Sequence, residues 1–177
     1  GQNTIAQLYG VQLATGHYSL LSNNMGTTGK LNAMGFNFHD NYLYAWSYQH
    51  RTVVKIGDDY QIEPLSISGL PGVDFYIGDV AVTNNTYYFY RPGGSYGLYA
   101  VSLDVTDASY LQASKVVSGD VLDLQIYDMA FHPNNGDAYS VSRTGQLYRF
   151  NVTTGVSELL GDTGETGTFG AVYFDVD

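Results

Sequence analysis

Apolar and polar residues alternate with a period of two through most of this chain. The alternation comes in short runs, parted by clusters of Gly, Asn, Asp, Ser and Thr. Period-two runs bounded by turn residues predict β-strands with one side chain up and the next down. In Tyr42-Leu43-Tyr44-Ala45-Trp46-Ser47-Tyr48, the four aromatic residues share one face, and Leu43, Ala45 and Ser47 share the other. No stretch of ten or more residues follows a period of 3.6, so the pattern predicts an all-β chain.

One run is written almost twice. Gln7-Leu8-Tyr9-Gly10-Val11-Gln12-Leu13-Ala14-Thr15-Gly16 returns as Gln146-Leu147-Tyr148-Arg149-Phe150-Asn151-Val152-Thr153-Thr154-Gly155. Each copy predicts a strand, a Thr-Gly turn and a second strand, residues 17–21 and 156–160. Between the copies, a four-strand order recurs. It runs 31–36, 42–48, 52–56, 60–68, then 77–82, 86–90, 97–103, 110–117, then 126–131, 137–142, 146–152, 156–160. A further opening strand follows at 170–174. The central residues of the opening strands are Gly35, Ala81, Ala130 and Tyr173, in steps of 46, 49 and 43 residues. That is the period of a β-propeller built of four-stranded antiparallel blades. The predicted blades are 31–69, 74–120 and 122–164 within a single domain, 1–177. A closing blade would combine 165–177 with 1–24, giving about four blades. The rival reading is a segment of a larger propeller.

Composition narrows the function classes. Seventeen acidic residues against seven basic ones give a net charge of −10, which repels phosphate backbones and anionic membranes. Nucleic acid and membrane insertion are therefore not expected. No 18-residue apolar run occurs. Cysteine is absent, which excludes a disulfide framework, a thiolate metal site and a Cys nucleophile. Seventeen Tyr and 21 Gly suit half-buried pleated surfaces and tight turns. The chain begins at Gly1 without a basic or apolar leader and reads as a mature or excised segment. Asn84 and Asn151 open N-x-Thr triplets, which matter only on a eukaryotic secretory route.

The motifs LYxVxLxTGxxxLL, NAMGFNFHDNYLYAW and FGAVYFD resemble a domain family of unknown function found in secreted and surface proteins of bacteria and fungi. The resemblance covers nearly the whole chain and implies an irregular β-propeller in an extracellular or cell-surface setting. It brings no catalytic residue with it.

Propeller topology gathers the loops between strands two and three, and those between blades, on one face. That face would carry Asn23, Asn24, Lys30, Gln49, His50, Arg51, Phe75, Tyr76, 91–96, 120–123, Arg143 and 162–165. The candidate ligand-binding residues there are Trp46, Tyr48, His50, Arg51, Tyr76, Arg91, Tyr96 and Arg143. Aromatic faces stack on the apolar faces of sugars while polar neighbours bond the hydroxyls. Trp46 also repeats in phase with Tyr90 and Val141, which predicts a place in the core between blades. Asp79 and Asp128 occupy equivalent positions on inner strands and could hold a hard cation such as Ca²⁺. Ala33 and Ala171 replace them in the other blades, so the ring of acids is incomplete. The alternative for both is a backbone-bonding carboxylate. His39 and His132 follow opening strands and read as turn residues.

No G-x-S-x-G elbow, Walker loop or zinc spacing is present, so the expectation is no enzyme. A non-catalytic extracellular binding or scaffold module is expected, adhesive or carbohydrate-binding through the loop face, with a glycan or protein ligand. One alternative is a structural subunit that self-associates by strand addition at open blade edges. Another is a hydrolase or lyase, whose sign would be a channel carboxylate with a raised pKa.

Overall fold

The fold is described from a computed structural model, whose described residues are 5–92, 96–116 and 125–174. A two-stranded hairpin comes first, β1 (Leu8–Val11) with β2 (Tyr18–Ser22). Three antiparallel four-stranded sheets follow in chain order. The first holds β3 (Leu31–Asn37), β4 (Tyr42–Ser47), β5 (Thr52–Ile56) and β6 (Ile62–Pro64). The second holds β7 (Ile77–Ala81), β8 (Thr86–Arg91), β9 (Gly97–Ser102) and β10 (Ala113–Lys115). The third holds β11 (Ala130–Phe131), β12 (Ala138–Val141), β13 (Gln146–Phe150) and β14 (Ser157–Asp162). Each is a meander whose strands pair in sequence order, as period-two runs joined by short turns dictate.

Turn chemistry sets the corners. Asn41 and Asn85 take φ of 62° and 50° in the turns after β3 and β7, a left-handed conformation that Asn tolerates. The two Thr-Gly turns are alike. Gly16 and Gly155 have φ of 69° and 70°, and each N–H bonds the carbonyl four residues back, Gln12 and Asn151, at 2.8 Å.

Both faces of β4 and of β8 are buried, because the first and second sheets are each covered on two sides. The aromatic face of β4 packs toward the second sheet: the Trp46 ring stacks on Phe89 at 5.9 Å and meets Phe75 edge-on at 5.2 Å. Its other face, through Ala45, joins Met25, Val54 and Ile56 beside Leu8 of the hairpin. The second and third sheets meet through Tyr88, Tyr90, Leu98, Ile126, Met129, Phe131 and Phe150. The opening strands β3, β7 and β11 are successive neighbours, as inner strands of adjoining blades must be.

The expected closing blade is not formed among the described residues. The hairpin remains two-stranded, and residues 170–174 form no ladder with it. Leu8 packs against the first sheet, whereas Phe174 packs on His132 and Tyr139 of the third at 5.0 and 5.2 Å. The outer strands of the first two sheets and the opening strand of the third are shorter than predicted: β6 and β10 have three residues each and β11 has two. Residues 93–95, 117–124 and 175–177, with the acids expected at 120 and 123, lie outside the described residues.

Candidate functional site

Half of the eight predicted ligand-binding residues gather around a carboxylate that the sequence did not single out. The β4–β5 turn closes through Arg51 N–H to the Ser47 carbonyl at 2.7 Å, with Arg51 at φ 53°. This aims the Arg51 side chain at the loop joining the first two sheets. Its guanidinium donates to the Gly72 carbonyl at 2.6 Å, and its Nε lies 3.7 Å from Asp74 Oδ1. The same oxygen accepts from the Trp46 indole N–H at 3.3 Å. From the other side, Arg91 donates to the Asp74 backbone carbonyl at 3.0 Å and lies over the Tyr96 ring at 4.7 Å. Arg51, Arg91, Tyr96 and Trp46 are thereby tied together through one residue. Burial raises the Tyr76 phenol above its ordinary range, opposed by the positive charge of Arg91 and assisted by nearby Tyr127 and Tyr48.

Trp46 is fully buried, so its ring presents no face to a ligand and serves the junction of the first two sheets. Tyr48 is half-buried at the end of β4. His50 is exposed and its N–H bonds Ser47 Oγ. Arg143 occupies the corresponding turn of the third sheet, its backbone bonded to Gln125 and Gly167. Beside this cluster lies a cleft of about 670 Å³, lined by Ile5, Ala6, Gln7, Thr28, Gly29, Lys30, Leu31, Asn32, Met34 and Tyr48. Gln49 shapes its rim: its side-chain oxygen accepts from Thr27 Oγ1 at 2.7 Å and Thr28 N–H at 3.1 Å.

Asp79 and Asp128 do equivalent work, each holding the opening segment of the next repeat. Asp79 accepts the N–H of its neighbour Val80 at 2.8 Å and, across to the third sheet, the N–H of Phe131 at 2.9 Å. Asp128 accepts from its neighbour Met129 and from Val172 N–H at 2.6 Å. Burial pushes Asp79 up to about 7 and Asp128 up to about 6, against the pull of those amides toward the ionised form. Each carboxyl is thus engaged by two backbone N–H groups. Among the described residues, no group of three or more His, Cys, Asp or Glu could hold a metal ion. Gly35 makes the Asp79 link fit: a Cβ there would lie 2.6 Å from Val80 N. In the first sheet Ala33 replaces the acid, and its carbonyl accepts the buried Tyr87 hydroxyl at 2.6 Å. His39 and His132 sit in turns, His39 Nε2 lying 2.6 Å from the Val82 carbonyl.

Stacked antiparallel meanders with neighbouring inner strands define a propeller-type repeat. The chain belongs to the family described as a repeat of unknown function (DUF6923), which matches residues 1–174. No curated protein is a detectable sequence relative. Among solved structures, the chain is similar to one in a nidogen/laminin complex, at 9% identity and a TM-score of 0.58, over 91% of this chain and 60% of that one. It is also similar to a protein of unknown function from Bacteroides thetaiotaomicron (20% identity, TM-score 0.51, 78% and 34% covered). A third is a catalytically inactive virginiamycin B lyase from Staphylococcus aureus solved with quinupristin (10% identity, TM-score 0.53, 86% and 47% covered). At these identities the likeness is one of fold. The chain spans less than two thirds of each of these neighbours.

Proposed function

We propose that this chain is a non-catalytic binding module of an extracellular or cell-surface protein, and that a glycan occupies its loop-face cleft. The observation that carries the reading is the cleft itself. Its volume of about 670 Å³ falls within the range of small-ligand sites. Tyr48 supplies an aromatic wall, and Gln7, Thr28, Lys30 and Asn32 supply donors and acceptors for hydroxyls. Among the described residues no carboxylate lines it, which suits binding better than acid–base chemistry. The extracellular setting rests on the resemblance to secreted and surface proteins. No helix among the described residues is long and apolar enough to cross a membrane. A glycan array with and without Ca²⁺, followed by calorimetry on the hits, tests this reading. Tyr48→Ala is expected to weaken binding by about tenfold or more. An empty array, or hits indifferent to Tyr48 and Asn32, would sink it.

One observation favours a second reading, a hydrolase or lyase. Asp79, with its carboxyl near neutrality, borders a smaller cavity of about 280 Å³ between the inner strands. Against it, both Asp79 oxygens already accept peptide N–H groups. Release of new chain ends from a polysaccharide panel, abolished by Asp79→Asn, would support it.

A further inference from the structure

The two copies of the repeated stretch fold alike residue by residue. In the hairpin, Leu8, Tyr9, Gly10 and Val11 pair with Ser22, Leu20, Ser19 and Tyr18. In the third sheet, Leu147, Tyr148, Arg149 and Phe150 pair with Gly161, Leu159, Glu158 and Ser157. The register is the same, and both ladders shift at the same step, between Leu8 and Tyr9 and between Leu147 and Tyr148. The hairpin is therefore the outer half of a blade, and its twin shows what each of its faces is for.

The twin buries one face against the preceding sheet. Phe150 and Val152 are 1% and 6% exposed, packed with Tyr90, Leu98, Ile126 and Met129. Their counterparts Val11 and Leu13 are 58% and 59% exposed. Tyr9, Tyr18 and Leu20 extend the same bare surface, which carries no charge. The hairpin's opposite face, through Leu8, is already covered by the first sheet.

The other end of the molecule offers the matching half. The second sheet covers Phe150 with a flank that includes Tyr90 and Leu98. By repeat phase, the third sheet carries Val141 and Leu147 at those positions. Val141 and Leu147 are partly exposed, and Leu160 beside them is 44% exposed; Tyr139, covered in part by Phe174, and the Arg149–Glu158 ion pair share this flank at its far end. Each end thus presents one side of an interface that the molecule already forms internally.

We propose that the bare hairpin face docks on the outer flank of the third sheet of a second copy of this chain. Such a contact is heterologous, joining two different surfaces, so it propagates head to tail, into a ring where the rotation closes and a filament where it does not. The attraction is burial of apolar surface that solvent now wets.

The absence of cysteine makes a clean test. Val11→Cys and Leu147→Cys proteins, mixed and oxidised, should give a crosslinked heterodimer. Sedimentation of the native chain should show mass rising with concentration. Val11→Asp should weaken association by more than about tenfold, with the Trp46 emission of the folded state retained. A native chain that stays monomeric overturns the proposal. So do dimers formed only by Val11→Cys with itself, since they would mean a like-to-like contact. A Val11→Cys/Leu147→Cys double variant that crosslinks within one chain also overturns it, by showing that the molecule closes on itself.

Discussion

Asp79 makes stability depend on pH in an unusual direction. Its carboxyl rises from 3.8 to about 7 on folding, chiefly through burial. A group raised in the folded state contributes stability that is fully present below its unfolded value. That stability is lost as pH rises through the folded value. The window for Asp79 is therefore about 4 to 7, and Asp128, at about 6, acts in the same sense. At about 1.4 kcal/mol per unit, Asp79 alone accounts for a loss on the order of 4 kcal/mol between pH 4 and 8. Asp79→Asn removes the ionisation but leaves one oxygen where two accepted N–H groups, from Val80 and Phe131. One buried donor loses its partner, at about 1–3 kcal/mol. The variant is thus expected to be less stable than the native chain near pH 4.5 and equal or more stable at pH 8. Urea unfolding followed by fluorescence measures both, because Trp46 is the single Trp and is fully buried. Asp104 and Asp107, held below the ordinary carboxylate range by the N–H groups of Thr106 and Ser109, lose their contribution only as pH falls below about 4, outside this window. Native stability that rises from pH 4.5 to 8, with Asp79→Asn running parallel below it, would refute the reasoning. It would mean that the ionised carboxylate is the form the fold prefers.

Other substitutions probe separate features. Gly35→Ala drives a methyl against the β7 backbone at Val80 and should cost about 1–3 kcal/mol by urea unfolding. Phe150→Ala should cost about 3–5 kcal/mol, whereas Val11→Ala, its counterpart on the bare face, should cost under about 1 kcal/mol in dilute solution; equal costs would mean that the hairpin face is covered. Asp74→Asn removes an exposed ion pair with Arg51, worth at most about 1 kcal/mol, while the Arg91 bond to the Asp74 backbone survives; the readout is a shifted Trp46 emission with little change in the urea midpoint. Gly155→Ala, at φ 70°, should cost about 1 kcal/mol through backbone strain alone.

The strands were legible where alternation and turn chemistry agreed: β5 coincides with the predicted run 52–56, and β4 falls one residue short of its own. The edges were less legible because other bonds end the ladders. β6 ends at Pro64, which has no N–H to give, and past it only the Leu65 N–H still reaches the Val53 carbonyl, at 3.0 Å. β11 starts late because the Asp128 carbonyl is taken by the Ser140 hydroxyl, not by a ladder amide. The equivalence of Asp79 and Asp128 could be read from the repeat. Their partners could not, because a backbone N–H some fifty residues away leaves no mark in side-chain identity. Asp74 was missed for a related reason. It is one loop acid among seventeen acidic residues, and only the folded turn shows that Arg51, Arg91 and Trp46 converge on it.

The carboxylate links all point one way along the chain. Asp79 is satisfied only when residue 131 is in place, and Asp128 only when residue 172 is. As the polypeptide emerges from a ribosome, the acid of the second sheet lacks its distant donor until the first strand of the third has been made. Protonation covers that interval, since a neutral carboxyl tolerates burial that a charged one does not. Order in such a molecule passes between nearest neighbours, as in a linear array. Loss of one carboxylate link would therefore loosen the junction of two neighbouring repeats and leave the others in place.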